Sequence, residues 1–396
     1  MSKSTYISLL LAGALLGCSD DVTSEKTSAT RNYLISALPV DSISLQQLQG
    51  LAKLGGQNDM VGLVRHSVTT YKITYKTVYK GKPIDASGLL YIPQELSQPA
   101  PLISLHHGTT FVKKNVPSEG GFSGMEYFAA AGYVAFMPDF IGYGASADIF
   151  HPYYDRRHAA SSIIDGLKSV KEFLHAHSVA FNDQLFLAGY SEGGYVTLAA
   201  AEEMESTPDH GLLPTAVAAG AGGYDMEQML QSVTSSRYYT YPAYLAFVLM
   251  AYNITNDWNK PLDYFFQEKW SQVLPELMGG KYDGWQINAK LTSEVRALLN
   301  PDFYAGLVSD ESEPLLKGAL RANSIKGWKT ATPIRLYHGT RDEIIPLENS
   351  EITLANFRKL GSENVSLTRI PGGTHGGSFL PMLQQFIPWF ETIREQ

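Results

Sequence analysis

Short apolar runs separated by longer stretches of helical spacing set the plan of this 396-residue chain. Residues 102–105, 134–137, 185–188, 217–219, 334–337 and 365–370 are short, mostly apolar runs, and the first three end in His106-His107-Gly108, Pro138-Asp139 and Gly189-Tyr190-Ser191. Runs apolar on both faces fit strands of a parallel sheet buried between helices. Between them, residues 158–176 carry Ile163, Ile164, Leu167, Val170 and Leu174 at helical spacing, and residues 192–205, 347–360 and 379–393 follow suit. Strand-helix alternation of this kind predicts an α/β fold with a doubly wound, mostly parallel sheet. Ahead of it, residues 68–79 alternate Tyr, Ile, Lys and Thr, residues 80–83 read Lys-Gly-Lys-Pro, and residues 88–92 are apolar again. That pattern predicts an antiparallel hairpin at the start of the sheet. Leu45, Leu48 and Leu51 or Ala52 space like a short helix ended near Gly55-Gly56, and residues 19–31 are polar enough to be a tether.

Residues 224–330 break the alternation. They contain helical segments but no buried strand run, and they are dense in rings, among them Tyr238, Tyr239, Tyr241, Tyr244, Phe247, Tyr252, Trp258, Tyr264, Phe265, Phe266 and Trp270. We read them as a mostly helical cap inserted between two strands of the core, which then spans residues 65–223 and 331–396. The rings serve the cap's own core and the face it turns to a ligand. Residues 19–64 form a tether and N-terminal extension.

Composition adds little to the fold and more to the location. Hydrophobic residues make up 44% and charged residues 18%, ample for a core, and the net charge of -8 with no basic run argues against nucleic acid as a partner. The one cysteine, Cys18, permits no intrachain disulfide and no cysteine-based metal site. It follows Lys3 and an apolar run at residues 7–17, the length of a signal-peptide core and short of the roughly 20 residues that span a bilayer. The end of that run, Leu15-Leu16-Gly17-Cys18, resembles a bacterial lipobox, which implies cleavage before Cys18, lipidation of its thiol and a membrane anchor. Ser19 in the next position implies the outer membrane by the same resemblance. An ordinary signal peptide that happens to hold a cysteine is the alternative.

The candidate chemistry begins at Gly189-Tyr190-Ser191-Glu192-Gly193, a G-x-S-x-G pattern between an apolar strand and an Ala-rich helix. In that context the serine sits on a strained turn, the small flanking residues let strand and helix approach, and the helix N-terminus is aimed at the site. Without it, the pattern would be a tight turn with an incidental serine. A serine hydroxyl needs a base. His375, in the glycine-rich loop Gly372-Gly373-Thr374-His375-Gly376-Gly377, is the candidate. The other nine histidines lie in connections, at strand ends or on a helix expected at the surface, the last group including His158. The imidazole in turn needs a carboxylate. Asp342, after the strand at 334–337, is preferred, with its neighbour Glu343 as competitor. An oxyanion needs two fixed donors. The Glu192 N–H follows the nucleophile, and the Thr109 N–H lies in the His106-His107-Gly108-Thr109-Thr110 loop. Neighbouring His106 and His107 point to opposite faces of a strand, and no H-E-x-x-H pattern accompanies them, so no metal site is expected.

His107-Gly108, Pro138-Asp139 leading to Gly142-Tyr143-Gly144, the serine turn, His338-Gly339-x-x-Asp342 and His375 together resemble the α/β-hydrolase superfamily from about residue 65 onward. The order Ser191, Asp342, His375 is the order of that fold. Within it the chain looks like the secretory lipase and esterase group, whose helical cap lies in the same place. The resemblance implies a serine carboxylic ester hydrolase without cofactor or metal, acting on a small-molecule ester, with Asp139 structural. A serine peptidase on the same fold is the alternative, and a surface-anchored binding protein with an idle site is the third reading. The aromatic cap suggests an apolar acyl or aromatic group. For the anchor, replacing Cys18 by Ser is expected to move the protein from the membrane fraction to the soluble one with its ester hydrolysis intact. Mass spectrometry of the wild-type N-terminus is the check: a Cys18 without an acyl chain refutes the tether.

Overall fold

The computed structural model describes residues 32–55, 62–309 and 312–396. Cys18 and the apolar run before it lie outside the described residues. Among the described residues, nine strands form one sheet in the order β1-β2-β3-β5-β4-β6-β7-β8-β9. They are β1 (Leu34–Ile43), β2 (Val68–Tyr79), β3 (Lys82–Pro93), β4 (Ala100–His106), β5 (Val134–Pro138), β6 (Phe181–Tyr190), β7 (Ala216–Gly220), β8 (Ile334–Gly339) and β9 (Val365–Ile370). The first three pair antiparallel and β3 meets β5 antiparallel; all pairs from β5 through β4, β6, β7 and β8 to β9 are parallel. Every residue of β4 and β7 is buried, Ser104 and His106 of β4 included, as strands covered on both faces require.

Two features depart from the expected pattern. The hairpin turn is tighter, because Lys82 and Pro83 already pair with Tyr79 and Val78. Only Lys80 and Gly81 turn, both at positive φ, as a two-residue loop between twisted strands demands. The extension before residue 65 also contributes a strand. β1 is an edge strand with most side chains exposed, interrupted by Pro39 and by two register shifts. Such a segment lacks the period-two pattern that marks a half-buried strand. The Tyr33 and Leu34 N–H groups donate to the Glu172 carboxylate at 2.7–2.9 Å, which pins the start of β1 to the helix beneath it.

Helices cover both faces. The core contributes α1 (Leu45–Leu54), α2 (Glu126–Ala130), α3 (Arg156–Ala176) and α4 (Glu192–Ser206) before the long insertion. α1 is closed by a capping box between Ser44 and Gln47. α3 is capped by Asp155, which accepts from the His158 N–H at 3.0 Å. Between β7 and β8, residues 224–330 supply α5 (Met226–Ser235), α6 (Pro242–Thr255), α7 (Leu262–Phe265), α8 (Glu268–Leu277), α9 (Gly284–Lys290), α10 (Val295–Leu298), α11 (Pro301–Val308) and α12 (Pro314–Asn323). Two isolated β-bridges, Tyr238 with Glu294 and Phe266 with Leu299, stitch these helices together, and no described residue between β7 and β8 belongs to the sheet. α13 (Leu347–Lys359) and α14 (Phe379–Arg394) complete the core. No helix among the described residues is long and apolar enough to cross a membrane.

The junction of β6 and α4 is the tightest point of the fold. A Cβ on Gly189 would strike the Gly193 carbonyl, and one on Gly193 would strike the His106 carbonyl. Gly50 in α1 has open space instead. Gly193→Ala is therefore expected to cost about 3 kcal/mol or more through overpacking against backbone, whereas Gly50→Ala should add up to about 1 kcal/mol from helix propensity. Thermal denaturation of the two variants checks this, and equal melting temperatures would contradict the packing described.

Candidate active site

Ser191 lies between β6 and α4 with φ 59° and ψ -125°, a left-handed conformation rare for a residue with a side chain. Its N–H donates to the Gly220 carbonyl on β7 at 2.8 Å, so the neighbouring strand holds the turn. The Ser191 Oγ is 2.9 Å from His375 Nε2, and His375 Nδ1 is 2.7 Å from Asp342 Oδ2. Three residues from distant parts of the chain thus form one hydrogen-bonded line.

Each partner is fixed by its own loop. His375 follows β9, and its backbone is clamped at both ends. Its N–H donates to Glu343 Oε2 at 3.1 Å, and its carbonyl accepts from the Tyr190 hydroxyl at 2.6 Å. Asp342 sits in the turn after β8, where Oδ1 accepts from the Ile344 and Ile345 N–H groups, each at 2.9 Å. The turn separates the two candidate acids: Asp342 faces the imidazole and Glu343 the histidine backbone. Burial alone would raise the Asp342 carboxyl. Hydrogen bonds from His338 and His375, the charge of His375 and the Ile345 N–H outweigh it and hold the group well below the usual carboxylate range. His338 Nε2 lies 3.4 Å from Asp342 Oδ2 and 2.9 Å from the Ile345 carbonyl, while its Nδ1 meets the Ser350 hydroxyl at 2.7 Å. This buried histidine buttresses the acid turn.

Of the two backbone donors expected for an oxyanion, Glu192 adjoins Ser191 in the chain and Thr109 lies in the loop after β4. Glu192 is the first residue of α4, where an N–H has no acceptor within the helix. The loop carrying Thr109 lies against the nucleophile: a Cβ on Gly108 would stand 3.7 Å from the Ser191 Cβ. The Thr109 side chain is tied to the Tyr153 hydroxyl at 3.0 Å. Of the adjacent histidines, His106 is buried between Ser104 (2.9 Å) and Thr197 (2.7 Å), and burial with the nearby His107 pulls its pKa down to about 3. His107 turns the other way, stacking on Phe140 at 4.1 Å. Asp139 is buried, accepting from the Ser87 hydroxyl (2.6 Å) and the Ser118 N–H (2.8 Å), which braces the loops under the site.

One expectation about the remaining histidines fails. His158 is not on the surface; it is buried, with Nδ1 2.8 Å from Asp155 and Nε2 accepting from the Lys80 N–H at 3.0 Å. It belongs to the first turn of α3, which faces the β2–β3 turn rather than solvent.

A cavity opens beside Ser191, with about 680 Å³ of empty space, part of it open to solvent. Apart from the serine and four tyrosines its wall is aliphatic or methionine, with Leu230 and Val233 from α5, Leu245 and Val248 from α6, and Ile344 and Ile345 from the acid turn. No Lys, Arg, Asp or Glu among the described residues lines it. The ring-dense stretch divides its labour. Tyr239 and Tyr244 reach the cavity, whereas Tyr252, Phe265 and Phe266 are cap core and Tyr238 is exposed. The aliphatic lining was hidden in the sequence behind those rings, since Leu and Val on a helix read equally as core.

The sequence matches the secretory lipase family over residues 126–377. No curated protein matches it. Among solved structures, a Legionella pneumophila protein assigned as a hydrolase shares 27% identity with a TM-score of 0.83, covering 92% of this chain and 99% of that one. The rice cell wall degrading esterase LipA of Xanthomonas oryzae, in a ligand-bound form, shares 25% identity with a TM-score of 0.79, covering 92% and 98%. Candida antarctica lipase A in its closed state, at 14% identity and a TM-score of 0.65 over 91% and 83% of the two chains, shares the fold. With the α/β-hydrolase sheet in place and the match extending over most of its length, the chain belongs to the secretory lipase family of ester-hydrolysing enzymes.

Proposed function

We propose that this protein hydrolyses esters of apolar carboxylic acids through an acyl-enzyme on Ser191. The observation that carries this reading is the hydrogen-bonded line Ser191–His375–Asp342 opening on an apolar cavity. The acyl chain lies in the cavity with its carbonyl at Ser191. As Ser191 Oγ attacks, His375 Nε2 takes the hydroxyl proton, and the imidazolium is stabilised by Asp342 at Nδ1. The tetrahedral oxyanion is held by the Glu192 and Thr109 N–H groups. His375 returns the proton to the departing alcohol, and a water then attacks the acyl-enzyme by the same route in reverse. The chemistry needs no cofactor. A peptidase using these residues would need a charged group to recognise a peptide terminus, and the cavity wall supplies none. Export fits the apolar run at residues 7–17 and the family's secretory character, and the proposed lipid on Cys18 would keep the enzyme at the membrane that holds its substrates.

Two predictions follow from this geometry. Asp342→Asn should lower turnover by about 10⁴, the loss this change causes in a well-characterised triad. Glu343→Gln should cost about tenfold or less, since the amide oxygen can still accept from the His375 N–H. Kinetics on a chromogenic ester, with fluorophosphonate labelling of Ser191, check both, and a larger loss at Glu343 would move the acid there. The cavity makes the second prediction. Val248→Trp or Leu230→Trp fills it, and each buried CH₂ denied to the substrate is worth about 0.8 kcal/mol. Exclusion of two methylenes should thus lower kcat/KM for an octanoyl ester about tenfold relative to an acetyl ester. Equal losses on both esters would show that the cavity does not hold the acyl chain.

A further inference from the structure

The residue after the nucleophile carries a side chain that the proposed mechanism does not use. Glu192 turns inward and is 2% exposed, and its Oε1 lies 2.6 Å from His151 Nε2. The other nitrogen of that ring, Nδ1, lies 2.6 Å from the Ile141 carbonyl oxygen. A carbonyl only accepts, so Nδ1 carries a proton. Two arrangements then satisfy the contact at Nε2. Either Nε2–H donates to a carboxylate, or a protonated carboxyl donates to the bare Nε2. In both the pair holds one shared proton and has no net charge. A neutral ring against a carboxylate would set lone pair against lone pair at 2.6 Å.

The surroundings give that neutrality a purpose. Glu192 Oε2 is buried with no hydrogen-bond partner among the described residues, so no second donor offsets a carboxylate charge there. Tyr143, Phe140, Tyr153 and Phe247 pack their rings 4.9–6.2 Å from that of His151. The groups whose ionisation Glu192 opposes are Tyr143, Tyr153, Tyr154 and Tyr244, phenols pushed up by burial and therefore uncharged. An uncompensated carboxylate here would stand on the same residue whose N–H is to bind the oxyanion, and like charges in a dry site repel strongly.

We infer that Glu192 and His151 form a positioning pair that anchors the first residue of α4 from below while sharing one proton, so that the oxyanion donor is held by an acid without being opposed by its charge. The inference rests on the ester-hydrolase reading and adds to it a pair whose side chains stand apart from the substrate, since neither residue lines the cavity. The test separates charge from packing. His151→Gln can still donate to Glu192 but cannot lend it a proton. It should lower kcat on a short-chain ester on the order of 10²-fold with little change in KM. Adding Glu192→Gln removes the acid and should restore at least about tenfold of that loss, even though the double variant has lost both native partners. The same comparison with His151→Phe serves where the Gln variant does not fold, with thermal denaturation of each variant as the control. A double variant no better than the single one, a single variant with full kcat, or a loss carried wholly by KM would each overturn the pair's role. Fluorophosphonate labelling of the parent enzyme tells the two levels apart. A labelled parent without rescue refutes this inference alone, whereas an unlabelled parent refutes the ester-hydrolase reading and this inference with it.

Discussion

The backbone of Ser191 is the constraint on which the site depends. A residue with a side chain at φ 59° and ψ -125° is held there only if its surroundings leave no better option. Here β6 enters the turn, α4 leaves it, and the Gly220 carbonyl on β7 takes the Ser191 N–H. Gly189 and Gly193 let strand, helix and the end of β4 come within a distance that any side chain would forbid. That closeness does two things at once. It lifts the Ser191 hydroxyl to His375, and it brings the start of α4 and the loop after β4 close to the nucleophile, where their N–H groups serve an oxyanion in the proposed mechanism.

Support for the turn is layered outward through polar contacts that bind backbone more often than side chain. Glu343 and Tyr190 hold the two ends of the His375 peptide. Asp342 is held by two N–H groups of its own turn, and His338 backs that turn from within the core. Asp139 closes the loops under β5. The parallel strands carry all these loops at one end of the sheet, the place where ligands bind in open α/β folds.

Much of this was legible in the sequence because the chemistry has a local signature. The buried strands are apolar on both faces, and the turns that bear Ser191, Asp342 and His375 sit at their ends, rich in glycine. What was not legible depends on distance in space. β1 carries no strand signal in the N-terminal extension because an edge strand needs no buried face, and only the hydrogen bonds of Tyr33 and Leu34 to Glu172, far along the chain, show where it docks. His158 reads as a surface residue because its partner Lys80 N–H arrives from a hairpin 78 residues earlier. The choice between Asp342 and Glu343 could be argued only from the divergence of adjacent side chains. Their separate tasks appear once the His375 loop is folded over them. The cap's rings dominated its sequence, yet the aliphatic faces of α5 and α6 contribute most of what it turns toward Ser191.

Ile344 and Ile345 have a double position that bears on how selectivity arises. Their N–H groups hold the Asp342 carboxylate, and their side chains form part of the cavity wall beside Ser191. In the proposed mechanism, a substrate that fills the cavity leans on the peptide groups that aim the acid. Occupancy and alignment become mechanically linked. A well-fitting chain braces the turn from the open side while His338 braces it from the core, and a poorly fitting one leaves it supported from one side only. Discrimination among substrates in such a site is a matter of how well the machinery is tensioned as well as how tightly the guest is held.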